Sequence, residues 1–416
     1  MSNTKQARVE AAPWLLPPIV LQVVHYLDKA SDVITFLDAA PNAARDKAFD
    51  ALVTLLVAEP DLWPATGMDD LYKTSDTDDD SIVTTALPAL RKVLIAQGSE
   101  IGNGLWAPNV VSLTIVINEE PLDCSVLQEE LAASELTSLK SVHVDWNEEV
   151  DDEQLDDAVA AITASCPNLC ELDLATDVDS ELETCESLLG WLARSGARQF
   201  KLGAIDFAPG AATDVAHALL SSTTLHTIQI FGAPNVLESF LESSCTAPPQ
   251  QLRNLTIGHG SSWLDVTVPT TVRTLELVYV KMKTFSSPLP EVQSLRLCHV
   301  TLTSDAVSSL AAVLAATTTL FRLDLGDTTL SDDQLQAILD ALPHWLNRQH
   351  HKCYLRLHAK HRSEPRIAAV LTQIRNTLEV QIELCGGDDF DFATCHNLLP
   401  GFGTTSRMQL RFSKTG

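Results

Sequence analysis

The sequence predicts an α/β fold built from short repeated coils, each holding a strand, a turn and a helix or extended link. Three observations predict it: an LxxLxL pattern recurs, its copies keep a near-constant interval, and helical patterns fill the intervals. The copies are Val110-Leu113-Ile115, Leu139-Val142-Val144, Leu169-Leu172-Leu174 and, more loosely, Ala197-Phe200-Leu202. They continue through Leu225-Ile228-Ile230, Leu252-Leu255-Ile257, Val272-Leu275-Leu277, Val292-Leu295-Leu297 and Leu320-Leu323-Leu325. Weaker copies centre on Leu355-Leu357, Val380-Ile382 and Met408-Leu410. Taking the middle residue at 113, 142, 172, 200, 228, 255, 275, 295, 323, 355, 380 and 408, the intervals are 29, 30, 28, 28, 27, 20, 20, 28, 32, 25 and 28.

Each element follows from local chemistry. Alternating apolar residues mark strands with one buried face. "TSDAVSSLAAVLAAT" (303–317) and "SDDQLQAILDAL" (331–342) open on Ser-Asp caps and repeat apolar residues at helical spacing. The copies near 255, 275 and 295 are too short for a full helix, and "SSPLPEV" (286–292) points to extended or 3₁₀ links there. The 28-residue copies resemble the ribonuclease-inhibitor type of leucine-rich repeat. That resemblance implies a solenoid of about twelve repeats over residues 105–416, with a parallel concave sheet and convex helices. The family places Asn or Cys three residues after the LxL motif. Asn118 and Asn147 fit, Asp177 and Thr328 substitute, and Ala233 and Gly260 depart.

Residues 13–64 stand outside this period. Pro17 and Pro18 lead one apolar helix, Ser31 and Asp32 suit the start of a second, and "AARDKAFDALVTLLV" gives a third before Pro60. With Leu16-Pro17, Tyr26-Leu27, Asp32-Val33 and Leu62-Trp63, the segment resembles an F-box, without the acidic residue usual after Leu-Pro and without the Cys-and-Trp signature of helix three. The resemblance implies an Skp-type adaptor and a cullin ligase core as partners. Leu16, Pro17, Ile19, Val23, Val24, Leu27, Val33, Phe36 and Leu37 would dock the adaptor. Residues 65–104 read as an acidic linker, "GMDDLYKTSDTDDDS", followed by a capping helix in "SIVTTALPALRKVLIAQG".

The formal net charge is -27. Such a balance repels phosphate backbones, so nucleic acid is excluded as a partner class. No apolar run approaches a membrane span, and "MSNTKQARVEAAP" lacks the apolar core of a secretion signal. Nine cysteines without a CxxC pair then read as reduced thiols in the cytoplasm or nucleus. The sequon Asn254-Leu255-Thr256 falls on an expected strand of a non-secreted chain and is expected to carry nothing.

Chemistry is sparse. No GxxxxGK[ST], GxSxG or HExxH motif occurs, so no enzyme and no cofactor is expected. The acidic pairs of "NEEVDDEQLDD" (147–157) suit a solvated helix start. His350, His351, Cys353, His358 and His361 match no standard zinc spacing and read as a basic loop plus strand. Between Arg348 and Arg375 there are seven Lys or Arg against one acid, Glu364. The outward positions of the strands follow the same trend: Asp145, Glu171 and Asp173 come early, and Arg296, Arg322, Arg356, His358, Arg407 and Arg411 come late. These nine are the candidate target-binding residues, on a surface polarised by charge. The reading is a non-catalytic receptor, the substrate-recognition subunit of a cullin-type ubiquitin ligase. The alternative is a free-standing repeat scaffold or inhibitor whose N-terminal helices only cap the solenoid.

Overall fold

The computed structural model describes residues 17–41, 45–67, 80–90, 92–96, 110–117, 123–133, 138–244, 251–258, 263–285, 289, 291–328, 330–359, 364–373, 379–386 and 408–414. The chain divides into two compact units, the first holding residues up to Val178 with Glu186–Trp191, the second Asp179–Cys185 with Leu192 onward.

In the first unit α1 (Pro17–Val24), α2 (Ala30–Ala39) and α3 (Lys47–Ala58) precede β1 (Ala65–Gly67). Asp46 caps α3 by accepting from the Phe49 N–H at 3.0 Å, a contact worth about 1 kcal/mol. Then come α4 (Asp80–Ala86), a 3₁₀ turn at Leu87–Ala89, β2 (Lys92–Ala96), β3 (Ser112–Ile117), α5 (Cys124–Ala133), β4 (Ser141–Trp146), α6 (Asp152–Ser165), β5 (Glu171–Leu182) and α7 (Glu186–Leu192). Strands β1 to β5 pair in parallel and in chain order. The register sets Val93, Leu113, Val142 and Leu172 in one row, and all four are buried. The segment 81–98, read above as a capping helix, is corrected to helix, 3₁₀ turn and strand. Its run Lys92-Val93-Leu94-Ile95-Ala96 is short and apolar enough to suit either element. Pairing with β3 decides it as a strand.

The second unit carries β6 (Gln199–Phe207), α8 (Pro209–Ser221), β7 (Thr227–Phe231), α9 (Pro234–Ser244), β8 (Asn254–Gly258), β9 (Trp263–Val266), β10 (Thr274–Val278), β11 (Lys281–Phe285), β12 (Ser294–Cys298) and β13 (Thr301–Leu302). It ends with α10 (Ser304–Ala316), β14 (Arg322–Asp327), α11 (Asp332–Leu346), β15 (Cys353–Ala359), α12 (Glu364–Leu371), β16 (Val380–Gly386) and β17 (Met408–Lys414). Ser331 and Gln334 close a reciprocal capping box at the start of α11. The main sheet runs β6-β7-β8-β10-β12-β14-β15-β16-β17, all parallel, and β9, β11 and β13 form a second small parallel sheet behind it. Helices α8 and α9 pack together, as do α10 and α11, on the face where the LxL residues are buried.

The expectation of a curved leucine-rich-repeat horseshoe is corrected. Within each unit the parallel sheet is neither closed nor strongly curled. Strong curl requires elements on the two layers to differ in width, about 10 Å for a helix against about 4.8 Å for a strand. From β8 to β13 strands lie in both layers, and that difference vanishes. The F-box-plus-repeat architecture is corrected with it. The N-terminal helices merge into the sheet-bearing unit: His25 Nε2 lies 3.1 Å from Ala89 O, Trp63 Nε1 donates to Leu27 O at 2.6 Å, and α3 packs on α4.

Candidate protein-binding surfaces

Parallel sheets are ordinarily covered on both faces. Here the strands alternate buried and half-exposed residues, and the helices lie on the buried side. Among the described residues, each unit therefore keeps one open sheet face.

On the first unit that face carries Ser112, Thr114 and Val116 from β3, Ser141, His143 and Asp145 from β4, and Glu171, Asp173, Ala175 and Asp177 from β5. The predicted Asp145, Glu171 and Asp173 all belong to it. His143 Nδ1 lies 3.3 Å from Asp173 Oδ2. Partial burial raises the Asp145 carboxyl above its ordinary value; His143 opposes that shift, and Asp177 and Asp173 add to it.

The second unit's face has a different design. Register sets Glu276, Arg296, Asp324, Arg356, Glu383 and Arg411 in one row across six strands, with charge alternating at every step. Arg296 Nη1 donates to Glu276 Oε1 at 2.8 Å. Arg356 Nη1 donates to Asp327 Oδ2 at 2.9 Å and lies 3.6 Å from Asp324 Oδ1, while its Nε donates to Cys385 Sγ at 3.1 Å. Arg322 sits over the Tyr354 ring at 4.8 Å, and the Tyr354 hydroxyl donates to Glu383 Oε2 at 2.9 Å. Burial, with that bond to Glu383, pushes the Tyr354 phenol up to about 12. His358 Nδ1 is 3.2 Å from Gly326 O. The expected basic late face is thus largely self-neutralised: Arg296 and Arg356 are held by carboxylates of adjacent strands. Lys352 of the basic island is likewise 2.7 Å from Glu379. Arg407 and the Arg411 side chain lie outside the described residues.

The nine adaptor candidates separate by burial. Val24, Val33 and Leu37 are fully buried core, and Leu27 and Phe36 are half-buried. Leu16 and the Pro17 side chain lie outside the described residues. Ile19 and Val23 are each 37% exposed, and Tyr26, which the sequence reading did not select, is 80% exposed. Spaced at i, i+4 and i+7, these three form an apolar stripe on α1 and the turn after it.

A third surface was not foreseen. Tyr279 and His299, directly after β10 and β12, hold positive φ angles of 54° and 53°. Their rings stack, with centroids 4.7 Å apart and planes 17° from parallel. Gly232, after β7, and Ala204, beside it within β6, take the same conformation at φ 62° and 56°. Backbone bonds hold all three turns: Gly232 N–H to Gly258 O, Tyr279 N–H to Cys298 O and His299 N–H to Asp327 O. A bulky residue in this region costs about 1–2 kcal/mol and glycine almost nothing. A ring added to such a row brings one strained residue and a stack worth about 0.5–1.5 kcal/mol. Tyr279 is 52% exposed.

Burial pushes the thiols of Cys124 and Cys166 up to about 11 and that of Cys353 to about 12, which removes them as nucleophiles near neutrality. Among the described residues no group of three or more His, Cys, Asp or Glu could hold a metal ion, and no helix is long and apolar enough to cross a membrane. In the turn positions, Thr328 Oγ1 donates to Leu297 O at 2.7 Å as a buried turn residue, whereas Asp177 and Asn147 are exposed. No protein-family model matches the chain, and a search of the curated proteins finds no similar sequence.

Proposed function

We propose that the chain is a non-catalytic protein-binding receptor that takes a target on an open sheet face and docks a second protein on α1. The observation that supports this is the uncovered side of each parallel sheet, a position normally occupied by packed elements. On the first unit, Glu171 and Asp173 lie two residues apart on β5, about 6.6 Å along the strand, with Asp145 on the neighbouring strand. A segment with Lys or Arg at alternate positions complements that spacing.

In its narrower form the receptor is a substrate-recognition subunit of a cullin-type ubiquitin ligase, working in the cytoplasm or nucleus, and the α1 stripe meets an Skp-type adaptor. Tethering would then raise the target's effective concentration at the ligase without bond chemistry in this chain. The test is a pull-down with the Ile19→Asp/Val23→Asp protein, because both positions are surface and their change spares the core. Recovery of adaptor with the wild type and its loss with the double variant is the expected result. An adaptor retained by a folded double variant would remove α1 from the reading. Absence of adaptor with the wild type would leave the broader receptor, tested by target capture with Asp145→Lys/Glu171→Lys. Unchanged capture would overturn the open-face reading.

A further inference from the structure

We infer that the row of Arg198, His226, Arg253 and Arg273, at the N-terminal rim of the second unit's sheet, is a separate docking surface for an extended acidic protein segment. Each is the residue just before a strand, taking β6, β7, β8 and β10 in turn. The backbone bonds between successive coils pass through these positions. The Arg198 carbonyl accepts from the His226 N–H, the His226 carbonyl from the Arg253 N–H and the Arg253 carbonyl from the Arg273 N–H, each at 2.8 Å. Three guanidinium groups and an imidazole therefore stand one strand apart, about 4.8 Å per step and about 14 Å in all. Arg198, His226 and Arg273 are exposed, and Arg253 is half-buried.

The coils do not need these side chains, because the backbone already joins them. Arg198 Nη1 donates to Thr224 O at 3.3 Å on the surface. Among the described residues, the Arg253 and Arg273 guanidinium groups make no hydrogen bond or ion pair. Like charges on neighbouring strands repel. Elsewhere in the same unit cations are matched, as in the alternating row from Glu276 to Glu383. In a chain of net charge -27, the four links that carry the rim, 193–198, 222–226, 245–253 and 267–273, hold no Asp or Glu. An outside anion would relieve the repulsion that the row retains.

Spacing and donors select the occupant. An extended segment sets same-side side chains about 6.6 Å apart, so three acids at alternate positions span about 13 Å, close to the length of the row. Each guanidinium can meet a carboxylate with two parallel N–H donors. Behind the row lie Gln199, Thr227, Asn254 and Thr274, in register and uncharged, whose amides and hydroxyls suit peptide groups. A cavity of about 290 Å³ adjoins Arg198 at Thr224, and Arg194, Ser195 and Ser222 on its wall add a cation and hydroxyls to that end. Nucleic acid brings a far denser charge, which the chain's own acidity repels.

This surface is independent of the open faces and of α1. The test follows the fluorescence anisotropy of a rhodamine-labelled Glu-Gly-Glu-Gly-Glu amide titrated with the full chain at low salt. Saturable binding is expected, absent with the Gln-Gly-Gln-Gly-Gln amide and weakened about tenfold in Arg198→Gln/Arg253→Gln/Arg273→Gln at an unchanged urea midpoint. Where the triple variant unfolds more easily, Arg273→Gln, which removes no bond among the described residues, should still weaken binding about twofold. The inference is overturned by a Glu peptide that does not bind, by equal affinity for the Gln peptide, or by folded variants that bind as the wild type does. Tighter binding of oligothymidylate would also overturn it, making the row a general polyanion site.

Discussion

The two open sheet faces obey the same strand periodicity and use charge in opposite ways. On the second unit, Glu276, Arg296, Asp324, Arg356 and Glu383 alternate in sign along one register row, and each carboxylate lies within 4 Å of a guanidinium. On the first, the matching rows read Thr114, His143, Asp173 and Val116, Asp145, Ala175. Lys92 shares the row of Glu171 but stands three strands away, about 14 Å. Among the described residues, Asp145, Glu171 and Asp177 have no Lys or Arg partner. One face consumes its charge in holding adjacent strands together. The other keeps it available for an outside cation.

The sharpest way to break this contrast is to remove the hub of the paired face. Arg356→Met would leave Asp324, which is almost fully buried, and Asp327 without their shared guanidinium. Asp324 would keep only Arg296 at 3.9 Å and the Gly326 N–H, so the second unit should lose about 2 kcal/mol, read as a lower urea midpoint. An unchanged midpoint would show that solvent reaches these carboxylates and that the alternating row is ornamental. Arg296→Gln should cost less, about 0.5–1 kcal/mol, because its bond to Glu276 is partly exposed. A double-mutant cycle with Glu276→Gln should recover a coupling of that size, and additivity would break the pair.

How far this was legible in the sequence depends on what each feature needs. The strands needed only local alternation, and Leu113, Leu172, Leu275 and Leu323 do each sit second in a strand, buried. The last two frames were less secure. Val380-Ile382-Leu384 and Met408-Leu410-Phe412 each offer three alternating apolar residues, and only pairing shows that Ile382 and Leu410, not Val380 and Met408, continue the row of Leu355. Curl was not legible, because it depends on what fills the second layer. The charge row was hidden for a related reason: Arg296 meets partners 20 and 28 residues away, adjacent only once register is known. For α1, periodicity named an apolar helix correctly but could not separate Val24, which faces the core, from Tyr26, which does not. The stacked pair at 279 and 299 carried a faint signal, an aromatic residue where a turn would favour glycine or asparagine.

The smallest effect tests the unpaired face itself. Burial, with Asp177 and Asp173 nearby, lifts the Asp145 carboxyl above its ordinary 3.8, and His143 only partly offsets this. A raised native carboxyl binds more protons folded than unfolded between 3.8 and the native value. Stability therefore falls as pH rises through that window, and the penalty persists at neutrality. Asp145→Asn should remove it, a gain of a few tenths of a kcal/mol after allowing for solvent screening. The gain should be present at pH 7 and vanish below 3.8, where the aspartate is protonated in both states. A first unit destabilised by Asp145→Asn at pH 7 would mean that the carboxylate already has a favourable partner within the chain, and that the open acidic face is held for stability, as the paired face is.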